Sequence, residues 1–264
     1  MSTQVSIHDR FLRRDGRRLR WRIDGAGPAL VLLHGWALDL DYFEPLVPLA
    51  AEQYTLLRFD RRGFGLSDGP PEPCLDAADL ATVMDAAGIT RAVVLGMSQG
   101  ARLALRFARD FAPRVHALVL DGAPAIDAEP ELPLAQFRAR LEAGGTEALR
   151  EAIRAHPMMQ MRRHDEQRHA LLETMLARYQ GLDLLDPPGL MSAPDVAAIG
   201  VPVLLLHGTE DTATRRAAAA ALADAIAGAR RIALPGTGHL CLLDDPQSYA
   251  AGLMDFLRSL PRWS

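Results

Sequence analysis

Short runs of almost wholly apolar residues alternate along this chain with segments of helical periodicity, and no other feature limits its fold so sharply. The runs are ALVLLH (29–34), YTLLRF (54–59), AVVLG (92–96), HALVLD (116–121), VPVLLLH (201–207) and RRIALP (230–235). A strand with one wet face alternates apolar and polar residues, whereas a continuous apolar run of this length suits a strand covered on both faces. Between them, DAADLATVMDAAG (76–88) and TRRAAAAALADAIAG (214–228) carry helical spacing and close on Gly88 and Gly228. Residues 3–24 alternate and break at Asp15-Gly16, which predicts an antiparallel hairpin. The expected class is therefore α/β, with a mostly parallel eight-stranded sheet and helices on both faces.

The rhythm changes between the fourth and fifth of those runs. PLAQFRARLEAGG, TEALREAIRAHP and HDEQRHALLETMLARYQ have the spacing of three helices, and the Pro-rich LLDPPGLMSAPD follows them. The stretch is too long for one crossover helix. It predicts a helical cap over residues 127–192, inserted into a core formed by residues 1–126 and 193–264.

Composition bounds the function classes. A chain of 264 residues with a 49% hydrophobic fraction can bury a sizeable core. Its net charge of −4, with acids and bases mixed, argues against a nucleic-acid partner. All 29 basic residues are arginine, which removes Schiff-base chemistry and any lysine-dependent phosphate loop. Cys74 and Cys241 form neither a disulfide framework nor a metal-ligand cluster. The first residues lack the apolar core of a signal peptide, and no run approaches the ~20 apolar residues of a membrane span. A cytoplasmic protein without a membrane partner is expected, as a monomer or a homodimer. No Gly-x-Gly-x-x-Gly fingerprint follows a strand, so neither a cofactor nor a metal is expected.

In an open parallel sheet, ligands bind beyond the carboxyl ends of the strands. There the chain places Gly35-Trp36 after ALVLLH, Met97-Ser98-Gln99-Gly100 after AVVLG, Gly208-Thr209-Glu210-Asp211 after VPVLLLH, and Gly236-Thr237-Gly238-His239 after RRIALP. A serine, a carboxylate and a histidine thus come to one end of one sheet. Serine is a poor nucleophile at neutral pH unless a base takes its proton. His239 is the candidate base, and Asp211 would hold its tautomer and stabilise the imidazolium. Gly96 and Gly100 suit a tight turn followed by a closely packed helix, with Ala101 and Ala104 keeping that packing small.

Gly96-Met97-Ser98-Gln99-Gly100, His34-Gly35-Trp36, the segment Asp60-Arg61-Arg62-Gly63-Phe64-Gly65-Leu66-Ser67 and the order Ser98, Asp211, His239 together resemble the α/β-hydrolase superfamily almost end to end. The resemblance implies a nucleophile elbow at Ser98 and oxyanion donors at the backbone N–H groups of Trp36 and Gln99. It keeps Glu210 and Asp121 open as rivals to Asp211, since some members place their acid at the strand that Asp121 ends. Trp36, Leu38, Phe43, Met97 and Leu240 flank the expected site, and Met158 and Met159 in the cap suit an adaptable apolar pocket, so these residues are expected to bind substrate. His34 and His207 read as structural, Asp60 and Arg62 as holding their turn, and Cys241 as a small apolar neighbour.

The resemblance implies a serine hydrolase of the carboxylesterase or lactonase type. It would cleave a small carboxylic ester, lactone or thioester through an acyl-enzyme, with a small acyl compound as its partner. Carbon–carbon bond hydrolases and cofactor-free perhydrolases use the same triad, and noncatalytic hydrolase-fold ligand-binding proteins can retain it. The acyl and leaving groups are not written in these motifs.

Overall fold

Each apolar run becomes a strand. The computed structural model describes residues 9–125, 131–185 and 196–263. In it β1 (Arg10–Arg14) and β2 (Arg17–Asp24) form the hairpin, followed by β3 (Ala29–Leu33), β4 (Thr55–Phe59), β5 (Ala92–Met97), β6 (Val115–Asp121), β7 (Val203–Gly208) and β8 (Arg230–Leu234). Asp15 and Gly16 at the hairpin tip both have positive φ, the geometry whose twist matches that of paired strands. The eight strands form one sheet in the order β1-β2-β4-β3-β5-β6-β7-β8. β2 is antiparallel to both of its neighbours, and the remaining pairs are parallel.

Two-residue periodicity divides the strand side chains between two apolar layers. Leu30, Leu32, Val93 and Leu95 face one layer, which includes Tyr249, Leu253 and Phe256 of the C-terminal helix. Val31, Leu33 and Val94 face the other, with Leu80, Met84, Leu103, Phe107 and Leu222. The helices that cover these faces are α1 (Asp76–Ala86), α2 (Gln99–Asp110), α5 (Ala213–Ala225) and α6 (Pro246–Ser259). The helix α6 had no place in the sequence reading, although its buried Tyr249, Leu253, Phe256 and Leu257 recur at helical spacing.

Between β6 and β7 lie α3 (Leu134–Ala155) and α4 (Glu166–Arg178), with short 3-10 turns at Pro157–Met159 and Leu182–Leu185. The first two helices expected there run on as α3, broken by a kink at Gly145, whose φ of 69° and ψ of −166° are not helical. Phe137, Leu149, Leu172 and Met175 of these helices share one apolar layer with Trp36 and Met97. The expected cap limits at 127 and 192 lie outside the described residues, as does the start of the expected hairpin at residue 3. No helix among the described residues is long and apolar enough to cross a membrane.

Buried arginines and Asp60 tie strands, loops and α1 together. Arg58 reaches Asp24 at 2.6 Å, and Arg62 forks onto Asp79 at 2.6 and 2.9 Å. Asp60 accepts from the backbone N–H of Leu40 and of Leu66, each at 2.8 Å, which fixes the loop after β4 against the loop after β3. Arginine's planar fork and permanent charge suit such pairs.

Candidate active site

Ser98 occupies the single residue between β5 and α2. Its φ of 54° and ψ of −112° lie outside the regions an L-residue normally adopts. Its N–H donates to Asp121 O at 2.7 Å, and its carbonyl accepts from Ala101 N at 2.9 Å. The flanking glycines permit the turn by close approach. A Cβ on Gly96 would come 2.1 Å from the Gly100 carbonyl oxygen, and one on Gly100 would come 2.1 Å from that of Leu33. Backbone strain of this kind costs about 1–3 kcal/mol and persists only where the surroundings impose it.

The loops after β7 and β8 bring a carboxylate to an imidazole. Thr209 N donates to Leu234 O at 3.0 Å and Glu210 N to Thr237 O at 2.9 Å, which locks one loop to the other. Asp211 Oδ2 then lies 2.9 Å from His239 Nδ1, while Asp211 Oδ1 accepts from Thr212 N at 2.7 Å. A carboxylate can only accept, so Nδ1 carries a proton, and in the neutral ring Nε2 keeps its lone pair. Burial pushes the Asp211 carboxyl up, but His239, Thr212 N–H and Arg215 outweigh it and hold the group below its ordinary 3.8. The pair can therefore present an oriented base.

The rival carboxylates sit elsewhere. Glu210 points outward, 3.9 Å from Arg162, with its side chain 55% exposed. Asp121 is fully buried, accepts from Tyr249 Oη at 3.2 Å and leaves Oδ1 without a partner. Burial is the main cause that raises its carboxyl to about 8. A group raised above its unfolded value contributes stability that is complete below 3.8 and is lost as pH rises toward 8. Asp121→Asn cannot ionise and is expected to escape that loss. Denaturant unfolding should show little difference from the parent at pH 4 and a gain of about 1–3 kcal/mol at pH 7.

Ser98 and His239 line one cavity of about 260 Å³ with Trp36, Met97, Leu132, Met158 and Met159. The walls are otherwise apolar. Trp36 Nε1 donates to Asp183 Oδ2 at 2.8 Å, and its ring stacks on Phe137 at 5.0 Å. Tyr179 donates to the other oxygen of Asp183 at 2.5 Å, so the residues around α3 and α4 fix the Trp36 ring. Gln99 is the first residue of α2, and its N–H is among those a helix leaves without an internal partner. Its side chain, with the Gly35 carbonyl, accepts from Arg61 Nη2 at 3.4 and 3.3 Å.

Several expected substrate contacts lie apart from this cavity. Leu38, Phe43 and Leu240 are buried in the same apolar cluster as Trp36 and Met97 and are not among the residues that line the cavity. Adjacency in sequence to Trp36 or His239 does not fix direction: Phe43 turns edge-on to Tyr42 at 5.1 Å, and Leu240 begins the turn Cys241–Asp244. His34 accepts from Arg61 N at 3.1 Å through Nε2, and burial is the main cause of its lowered pKa. Cys241 is buried, donates to Gly238 O at 3.1 Å, and has its thiol pushed well up by burial.

One neighbour escaped the sequence reading. Arg215 is 4% exposed, donates to Gly122 O at 2.8 Å and Glu131 Oε2 at 2.7 Å, and reaches Ser98 Oγ at 3.5 Å. Its place one helical turn after Asp211 was the available signal. Among the described residues, no group of His, Cys, Asp and Glu could hold a metal ion.

The comparisons agree with this architecture. A family model described as the alpha/beta hydrolase family matches residues 30–252. A pimeloyl-[acyl-carrier protein] methyl ester esterase from Xanthomonas campestris pv. campestris (strain B100) is 32% identical over 259 residues, covering 90% of this chain and 98% of its own. The crystal structure of an enol-lactonase from Burkholderia xenovorans LB400 superposes with a TM-score of 0.82 at 25% identity, over 95% of this chain and 100% of that one. A bromoperoxidase from Bacillus anthracis, 20% identical with a TM-score of 0.81 over 96% of this chain and 100% of that one, shares the fold. With the match to the family model spanning most of the sheet and the turns that carry Ser98, Asp211 and His239, the chain belongs to the alpha/beta hydrolase family.

Proposed function

We propose that the protein hydrolyses a small carboxylic ester, lactone or thioester through an acyl-enzyme on Ser98. One observation carries the reading: a serine held at positive φ shares a cavity with a histidine whose Nδ1 is engaged by a carboxylate. The names of the methyl ester esterase and the enol-lactonase support ester chemistry.

His239 Nε2 takes the Ser98 proton as Oγ attacks the acyl carbon, and Asp211 stabilises the imidazolium that forms. The N–H groups of Gln99 and Trp36 receive the oxyanion, each donor worth about 2.7–4 kcal/mol in the transition state. His239 returns the proton to the leaving oxygen or sulfur. It then activates a water that releases the acid and restores Ser98.

Residues 127–192 act as a cap in this reading, since Leu132, Met158 and Met159 supply one side of the cavity. With Trp36, Met97, Leu132, Met158 and Met159 around Ser98, the cavity walls favour an apolar acyl group. Met159→Ala is expected to enlarge the cavity. Across aryl esters of graded chain length, the peak in kcat/KM should move to longer acyl groups, with a gain of about 1–3 kcal/mol in discrimination. The test of the reading is that panel extended to lactones and thioesters. Ester or lactone turnover is expected. Turnover confined to vinylogous diketones or to peroxide-dependent halogenation would overturn it.

A further inference from the structure

A second cleft, of about 340 Å³, lies beside the nucleophile turn. Gln99, Arg102, Leu103 and Arg106 line it from one face of α2, at positions i, i+3, i+4 and i+7. Arg61, from the loop after β4, and Asp76, at the start of α1, complete its polar wall. Its charge is unbalanced, because Asp76 is the only carboxylate among the lining residues and three arginines face it.

The partners of those arginines show where the imbalance falls. Arg61 Nη1 lies 3.6 Å from Asp76, and Arg106 Nη1 donates to Pro73 O at 2.6 Å. Arg61 Nε is buried without a partner. The Arg102 side chain is partly buried and makes no hydrogen bond or ion pair among the described residues. Burial, with repulsion from Arg215, pushes its guanidinium down to about 10, so it stays charged at neutral pH. An unpaired charge held away from water is costly, and folded chains seldom keep one without a use. Guanidinium groups bind phosphate and carboxylate through paired N–H donors, the donors left over here.

We propose that this cleft binds an oxyanion, a phosphate or carboxylate group, held by Arg102 with Arg61 and Arg106. Such an anion would sit against the supports of the ester-cleaving centre, because Arg61 also donates to the Gly35 carbonyl and the Gln99 side chain. Those residues adjoin or bear the N–H groups assigned to the oxyanion. The site does not depend on which bond Ser98 cleaves, and its binding can be measured without any turnover.

The probe is inorganic phosphate, titrated calorimetrically into the whole protein at constant ionic strength, with chloride as the compensating anion. Saturable binding is expected, weakened about tenfold or more in Arg102→Met. Arg106→Gln serves as a second variant should the first fold poorly. No saturable binding to the parent, or equal affinity in folded parent and variants, would overturn the proposal. The source of the anion is read from inhibition. Phosphate that competes with an ester bearing a phosphate on its alcohol side, and spares the neutral counterpart, places the anion on the substrate. An equal response of both esters places a free anion in the cleft. Loss of ester turnover with phosphate binding intact would count against the function proposed above and leave this site standing.

Discussion

Ser98→Ala is expected to lower kcat by about 10⁴- to 10⁶-fold on every ester the protein turns over, with the fold intact. Among the described residues that line the cavity, only Ser98 offers a hydroxyl beside His239. Cys241, two residues past His239, is buried, and burial keeps it protonated. A second substitution separates chemistry from strain. Ser98 holds a φ of 54°, which glycine adopts without penalty. Ser98→Gly should therefore be as inactive as Ser98→Ala but more stable than it by about 1 kcal/mol. Denaturant midpoints and steady-state kinetics on the three proteins decide this. A glycine variant less stable than the alanine variant would mean that the turn is not strained.

Asp211→Asn should cost nearly as much, about 10⁴-fold in kcat, with little change in shape. Asp211 Oδ1 accepts from Thr212 N, so the amide oxygen takes that place and its NH₂ group turns toward His239 Nδ1. Nδ1 must then accept, the ring proton moves to Nε2, and the base is lost. The linked effect on stability has a definite sign. The Asp211 carboxyl is held below 3.8, so its stabilisation is present above that value and disappears as pH falls through the lowered one. The asparagine variant should be less stable by about 1–3 kcal/mol at pH 7, with the gap closing in acid. Asp121→Asn is the matched control, and its turnover should stay within about threefold of the parent. Equal loss in both variants would point to a shared structural role.

Much of this was legible because the informative residues obey local rules. The runs at 29–34, 92–96 and 201–207 are continuous because both faces are covered, and they became β3, β5 and β7 within a residue or two. The glycines around Ser98 were legible through the space they leave free. What stayed hidden depends on side-chain direction. Leu38 and Leu240 lie within two residues of Trp36 and His239, yet they are not among the residues that line the cavity. The grip of Asp183 on Trp36 spans 147 positions, and no spacing rule relates residues so far apart. Arg102 and Arg215 belong to a chain rich in arginines; burial and its partners set Arg215 apart, and the lack of a side-chain partner among the described residues sets Arg102 apart.

Formation of an acyl-enzyme on Ser98 can be observed directly. The direct measurement is mass spectrometry of the protein quenched during turnover of an activated aryl ester, followed by peptide mapping. The expected result is one acyl group per chain, carried by the peptide that contains Ser98, and absent from Ser98→Ala. An unmodified Ser98 in a protein that is turning over ester, or an acyl group mapped to Cys74, Cys241 or another residue, would contradict it.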